Sequence, residues 1–264
     1  MIKEYKKRFA GFTLIELLVV IAIIALLLAI LIPSLKKVKD QAKMVVCKTN
    51  LHQWGLIFGM YTNDNNSKFM PGIDEDWETG KYSWIVSLIP YHDTPEIRFC
   101  PNAKRTEAQG QSGPKAAWDM TPNVNAGQLT ALRDSEYKTG SYTVNWWVNS
   151  SNKTSGSFDG NLKWKTALQS DTSSIPVLMD GGFILARPEA DDVPPAYDGQ
   201  FAYADGGKGM KRVCTDRHGG KVNILFMDLS SNKVELKDLW NQRWHKNYVR
   251  PAVEPTWPEW MRKF

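Results

Sequence analysis

Cysteine is scarce in this chain of 264 residues. Cys47, Cys100 and Cys214 are its three thiols; none belongs to a C-x-x-C pair and none stands beside clustered histidines, so the spacing supports neither a zinc site nor a thioredoxin-like redox motif. An odd count allows one disulfide at most, with the pairing open, and an exported body would meet an oxidising compartment where such a bond persists. Catalytic signatures are lacking as well. There is no Gly-x-Ser-x-Gly elbow, no His-Glu-x-x-His and no Walker loop, and Gly206-Gly207-Lys208-Gly209 lacks the spacing and the Ser/Thr that phosphate cradling needs. The chain is accordingly expected not to be an enzyme and to carry no cofactor.

Excess charge is missing from most of the molecule too. The formal net charge is +5, but the first eleven residues hold Lys3, Lys6, Lys7 and Arg8 against Glu4. Taking that net +3 away leaves only +2 on the remainder, which gives no electrostatic case for binding nucleic acid.

What the sequence does have is one long apolar run. From Leu14 to Ile32 the only polar side chain is Glu16, and at 1.5 Å per residue the run spans about 28 Å, close to the hydrocarbon thickness of a bilayer. A secretory signal has a shorter apolar region, about 7–15 residues, followed by a small-x-small cleavage site. Here the run is longer and ends in Pro33-Ser34-Leu35-Lys36-Lys37. The basic leader keeps the N-terminus cytoplasmic and places the residues after Ile32 on the far side of the membrane. Lys36, Lys37, Lys39 and Lys43 oppose that bias, and the first basic cluster is taken to dominate.

Glu16 decides between a plain anchor and something more specific. A carboxylate inside an apolar span costs about 2–3 kcal/mol, so it marks function and calls for a compensating charge. The stretch Lys7-Arg8-Phe9-Ala10-Gly11-Phe12-Thr13-Leu14-Ile15-Glu16 resembles the prepilin processing signature of type IV pilins and type II secretion pseudopilins. The resemblance implies that a prepilin peptidase cuts after Gly11 and methylates the new N-terminal Phe12, with Glu16 at the fifth mature position and Pro33 at the twenty-second. The chemistry agrees. Cleavage creates an ammonium on an apolar segment, and a neighbouring subunit's Glu16 offers an opposite charge at nearly the same depth, which offsets two costly burials and sets the axial register. Gly11 leaves the backbone open to the protease, and a bulky residue there should block processing.

Beyond the membrane run, Leu35, Val38, Ala42, Val45, Trp54, Ile57, Phe58 and Tyr61 recur at helical spacing, predicting an amphipathic helix that continues to about Met60. Pro33 should kink it, and Tyr61-Thr62-Asn63-Asp64-Asn65-Asn66-Ser67 should stop it after about 70 Å. The body shows short β-type runs at Tyr142 to Val148, Ile175 to Met179, Val222 to Met227 and Lys233 to Leu236, the last two joined by a hairpin loop over Asp228 to Asn232. The expected fold is α+β: a long N-terminal helix, transmembrane and then amphipathic, packed on an antiparallel β-sheet body, pilin-like. The expected pieces are a removed leader (1–11), a transmembrane or filament-core helix (12–33), a stem (34–62) and a periplasmic or extracellular α+β domain (63–264).

Phe99-Cys100-Pro101 and the run from His218 to Asp228 are similar to large pilin-like proteins of Planctomycetes-type bacteria, which often carry a His, nine residues, then Asp-Gly; here Leu229 replaces the glycine. His218 and Asp228 are expected to brace the hairpin rather than form a catalytic pair. Asp191, Asp192, Asp198 and Asp205 in the segment Glu189 to Asp205 offer hard oxygen ligands for calcium, as major pseudopilins use in a C-terminal loop, or simply cap turns and face water. Among the eleven tryptophans, the pairs Trp240/Trp244 and Trp257/Trp260 have helical spacing that suits either core packing or an aromatic platform for sugars, and Val249 to Phe264 should wrap the body.

The sequence therefore reads as a structural subunit of a type II secretion-like or type IV pilus-like filament, anchored in the cytoplasmic (inner) membrane by a single pass. Its partners are prepilin peptidase, copies of itself and other pilin-like subunits, and the inner-membrane assembly platform, with no nucleic acid. The absence of a clear C-terminal disulfide loop leans towards the pseudopilin. The rival is a membrane-displayed binding module, for example for carbohydrate, that uses the leader for export alone. Such a module should tolerate Glu16→Leu.

Overall fold

The computed structural model describes residues 13–76, 81–110, 113–120, 136–153, 159–200 and 209–264. It divides into two compact units, residues 1–42 and 43–264.

Helix α1 runs without a break over Leu14–Asp64, 51 residues and about 76 Å at the α-helical rise. Its two stretches differ in what surrounds them. Every residue from Thr13 to Ala42 is exposed, whereas Cys47, Leu51, Trp54, Phe58 and Thr62 are buried at steps of three and four. That stripe is the amphipathic face expected of the stem. The helix outlasts its predicted end by about a turn because side chains serve its last carbonyls. Thr62 Oγ1 donates to Phe58 O at 3.0 Å and Asn65 Nδ2 donates to Tyr61 O at 2.8 Å. Asn66 and Ser67 then take positive φ (54° and 61°), a left-handed step that ends the helix.

Helix α2, Trp84–Leu88, is short and sinks Trp84, Ile85 and Leu88 into the core. A small sheet joins β1 (Arg105–Thr106), β2 (Ala116–Asp119) and β3 (Thr139–Gly140). The main sheet is built from β4 (Tyr142–Asn145), β5 (Pro176–Asp180), β6 (Leu185–Ala186), β7 (Lys221–Phe226) and β8 (Ser231–Glu235), in the order β6-β4-β5-β7-β8. The four expected strands are present within a few residues of their predicted bounds. One part of the expectation needs correction: β6 lies parallel to β4, so the sheet is mixed rather than purely antiparallel. Its two residues are too few for a period-2 signal to show in the sequence.

Burial along the strands reflects their places in the sheet. β5 is buried throughout and β7 over five of its six residues, whereas β8, at the edge, buries only Ser231 and Val234 and pairs Lys221 with Glu235 on its exposed side. The second half of α1 lies on this sheet. Asn223 Nδ2 donates to Met44 O and Ser231 Oγ to Lys48 O, and a Cβ at Gly55 would meet Leu225 Cδ1 at 2.8 Å.

Most of the body is neither helix nor strand, which leaves many buried carbonyls without a ladder partner. Tryptophan supplies the donors. The indole N–H groups of Trp54, Trp84, Trp118, Trp164, Trp240 and Trp244 each donate to a backbone carbonyl at 2.8–3.0 Å, namely Ile97, Ile184, Tyr142, Trp244, Asp192 and Leu239. Each ring therefore fills core volume and satisfies a loop acceptor at once.

Trp54 combines the two roles where α1 meets the body, with 0% exposure. Trp54→Ala should lower the unfolding free energy of the full chain by about 3–5 kcal/mol, and Trp54→Phe by about 1–3 kcal/mol, mainly through the orphaned Ile97 carbonyl. Urea denaturation in detergent, followed by circular dichroism, measures both.

Candidate functional site

The apolar stretch of α1 begins at a side-chain cap. Thr13 precedes the helix, and its backbone N–H and hydroxyl both donate to Glu16 Oε2, at 2.9 and 2.7 Å, while Glu16 N–H donates back to Thr13 Oγ1 at 3.3 Å. This is a capping box, in which two orphan groups of the first turn satisfy each other. The run Thr13-Leu14-Ile15-Glu16 carries that pattern openly, although the charge of Glu16 alone suggested only a partner in another subunit. Gly11 and Phe12 lie outside the described residues, as does the leader. Pro33 lies inside the unbroken helix. It cannot donate to Ala29 O, and beside it Ser34 Oγ donates to Leu31 O at 2.8 Å. Among the described residues α1 is the one helix long and apolar enough to cross a membrane.

A second arrangement lies in the body, and the spacing of the cysteines gave no sign of it. Cys47 from α1, Cys100 from the segment after the 3-10 turn Pro95–Arg98, Asp180 from the end of β5 and His218 from the loop before β7 converge. Cys47 Sγ lies 3.1 Å from Asp180 Oδ1, and His218 Nε2 lies 3.1 Å from Asp180 Oδ2 and 3.3 Å from Cys100 Sγ. The imidazole and the carboxylate are both 0% exposed. Burial would raise the Asp180 carboxyl, but the nearby His218 and Arg217 hold it below its ordinary range, and burial pushes the Cys47 thiol up. His218 was expected to brace the β7–β8 hairpin with Asp228. Instead it turns inward, and Asp228 caps its own turn by accepting from Ser230 N–H and Oγ at 2.9 and 2.6 Å. Leu229, which replaces the motif's glycine, still adopts the left-handed conformation at φ 66°. Contact with the helix helps to hold it there, since a Cβ at Gly59 would meet Leu229 Cδ1 at 3.3 Å.

Comparison with known proteins finds similarity at the N-terminal segment. The family model for the prokaryotic N-terminal methylation motif matches residues 6–32. The type IV wide pilus major component PilA4 of Thermus thermophilus is 51% identical over 57 residues, 22% of this chain and 44% of that protein. The type II secretion system core protein G of Pseudomonas aeruginosa is 37% identical over 60 residues, 23% of this chain and 42% of that protein. The N-terminal segment carries the prepilin-type methylation motif. The chain spans less than half the length of these curated relatives, and no solved structure matches it.

The remaining candidate sites are dispersed. Asp191 is exposed. Asp192 Oδ2 accepts from the backbone N–H groups of Glu189 and Met210, both at 2.8 Å, and Asp198 accepts from Asp216 N–H at 2.9 Å. Asp205 lies outside the described residues. Turn capping thus occupies the two inward-facing carboxylates considered as calcium ligands. The aromatic platform is corrected at Trp240 and Trp244: both are buried, and Trp257 packs edge-on against Trp240 at 5.3 Å, so that pair presents no face to a sugar.

Asp192 yields a pH prediction. Burial first, and the nearby Glu189 and Asp191 carboxylates next, raise its pKa to about 6 from an ordinary 3.8, against the two N–H donors. The folded state then holds this proton more tightly than the unfolded chain. Stability from this group is complete below about pH 4 and is lost as pH rises to about 6, on the order of 2–3 kcal/mol. Asp192→Asn keeps an oxygen for both N–H groups and should remove that slope, as read from thermal midpoints of both proteins across pH 4–7.

Proposed function

We propose that this chain is a structural subunit of a pilin-like filament, cut between Gly11 and Phe12 by prepilin peptidase, methylated on Phe12, and assembled through its apolar helix. The observation that carries the reading is the methylation motif over residues 6–32, with a carboxylate on the fifth residue counted from Phe12. The bare apolar surface from Leu14 to Ile32 supports it, because such a surface needs lipid or neighbouring helices around it.

Glu16 supplies the selectivity of the association. Both hydrogen bonds from Thr13 go to Oε2, which leaves Oε1 for the ammonium of a neighbouring subunit's Phe12. In the lipid each charge alone is costly, whereas the pair satisfies both and sets the axial offset between subunits. Before extraction the chain spans the inner membrane once, leader in the cytoplasm and body in the periplasm. The assembly platform and other pilin-like subunits are its partners. The relatives include a pilus component and a secretion-system core protein, and the stem serves either kind of filament.

Co-expression with a prepilin peptidase, followed by intact-mass and N-terminal analysis of the membrane-extracted protein, tests the processing. The mature chain should begin at methylated Phe12, and Gly11→Val should retain Met1. A wild-type chain still starting at Met1 beside an active peptidase would leave only a plain anchor.

Assembly is tested separately with Glu16→Leu and Glu16→Gln. Both variants should be processed normally yet give few or no filaments by shearing and electron microscopy. Normal filaments from Glu16→Leu overturn the charge-pair mechanism, and a processed wild type that forms none favours the displayed binding module.

A further inference from the structure

Two thiols, a carboxylate and an imidazole meet in the body, each from a different segment of the chain. Their ligand atoms, Cys47 Sγ, Cys100 Sγ, an Asp180 carboxylate oxygen and a His218 ring nitrogen, all lie within 4.8 Å of one another. Cys47 Sγ lies 3.1 Å from Asp180 Oδ1, and His218 Nε2 lies 3.1 Å from Asp180 Oδ2 and 3.3 Å from Cys100 Sγ, so either carboxylate oxygen can serve as the ligand. Zinc bonds of about 2.0–2.3 Å to nitrogen, oxygen and sulfur place tetrahedral ligands roughly 3.3–3.8 Å apart. Small side-chain adjustments thus suffice to seat an ion between them.

Hydrogen bonding alone accounts poorly for this gathering. Nε2 of His218 carries at most one proton and faces both Asp180 Oδ2 and Cys100 Sγ, while Nδ1 finds no partner among the described residues. A pair of cysteines positioned only for a disulfide would need neither the carboxylate nor the imidazole. The surroundings, in contrast, suit anionic ligands. Tyr142 O–H donates to Cys47 Sγ at 3.4 Å, and Asn223 N–H donates to Asp180 Oδ2 at 3.2 Å. Arg217 is buried and anchored by bonds to the carbonyls of Pro114, Ser141 and Ala116, which also fixes the loop that carries His218.

We propose that Cys47, Cys100, Asp180 and His218 form a closed tetrahedral site for a structural zinc ion, a binding site separate from filament assembly and independent of it. Two sulfurs, one nitrogen and one oxygen select zinc over calcium or magnesium, which prefer oxygen alone. No side faces solvent, so there is no open position for substrate and the role is structural. Binding displaces the thiol protons and the proton on His218 Nε2 to solvent. Two thiolates and one carboxylate then bring three negative charges against the ion's two positive ones, and the Arg217 guanidinium, close enough to act on Asp180, offsets the remainder. The third cysteine lies apart: Cys214 is buried against Met261 Sδ at 3.9 Å.

The test uses the full chain in detergent, purified without chelator. Elemental analysis should find one zinc per chain. After chelation, Co(II) should restore a visible spectrum of tetrahedral intensity with a thiolate charge-transfer band, and the thermal midpoint should fall without metal and recover with it. Cys47→Ser and His218→Ala should each weaken cobalt binding more than about 10-fold, whereas Cys214→Ser should leave stoichiometry and spectrum unchanged. The unmodified chain decides the matter even where a variant fails to fold. Free thiols that bind neither zinc nor cobalt, an octahedral cobalt spectrum, or an intact mass showing a Cys47–Cys100 disulfide each overturn the site.

Discussion

Residues Leu14 to Ile32 present apolar side chains on every side of α1, and nothing among the described residues covers them. Leaving such side chains in water costs about 1.5–3 kcal/mol each, so over this length the cost reaches tens of kcal/mol. No rearrangement of a single chain removes it while the run remains one exposed helix. The surroundings must supply the cover, whether lipid or other helices, and the leader's charges and Glu16 have meaning only against that requirement. Under the proposed reading, one surface serves twice: it holds the subunit in the bilayer and then becomes the filament core. The capping box between Thr13 and Glu16 suits both states, because it satisfies the helix start without using every acceptor of the carboxylate.

The body meets a different constraint. Its strands are two to six residues long, so much of its buried backbone lies outside ladders. Indole rings answer this better than aliphatic side chains do, since each brings a donor into the core with its apolar area. That accounts for a tryptophan content which, from composition alone, pointed as easily to a sugar platform. Trp164 and Trp244 make the point: Trp164 donates to the carbonyl of Trp244, whose own indole N–H reaches back to Leu239. The two fix the path of the chain after the 3-10 turn Lys237–Asn241.

How much of the structure was legible in the sequence depends on the range of the interactions. The apolar run, the amphipathic stripe and the strands β5, β7 and β8 depend on neighbours in the chain and could be read to within a few residues. β6 could not, because two residues carry no period and its parallel place beside β4 is set by tertiary contact. The helix end was misjudged by about a turn, because Thr62 and Asn65 read as turn formers but here bond to the preceding carbonyls. The inward turn of His218 was hidden for another reason: its partners lie on a separate strand and in a separate loop, and Cys47 and Asp180 stand 133 positions apart. Ligand spacing rules apply to local clusters, and this cluster comes from four distant segments.

Cys47 is also the first buried residue of α1. The quartet therefore lies where the helix, exposed on all sides up to Ala42, first becomes part of the body's core. Apolar burial holds the helix over the following turns, but at this end it stops, and fraying of the docked segment should start here. A short-range polar fastening gains most at such a boundary. The proposed ion would join the helix to β5 and to the loops carrying Cys100 and His218 in one step, resisting separation where packing alone is weakest.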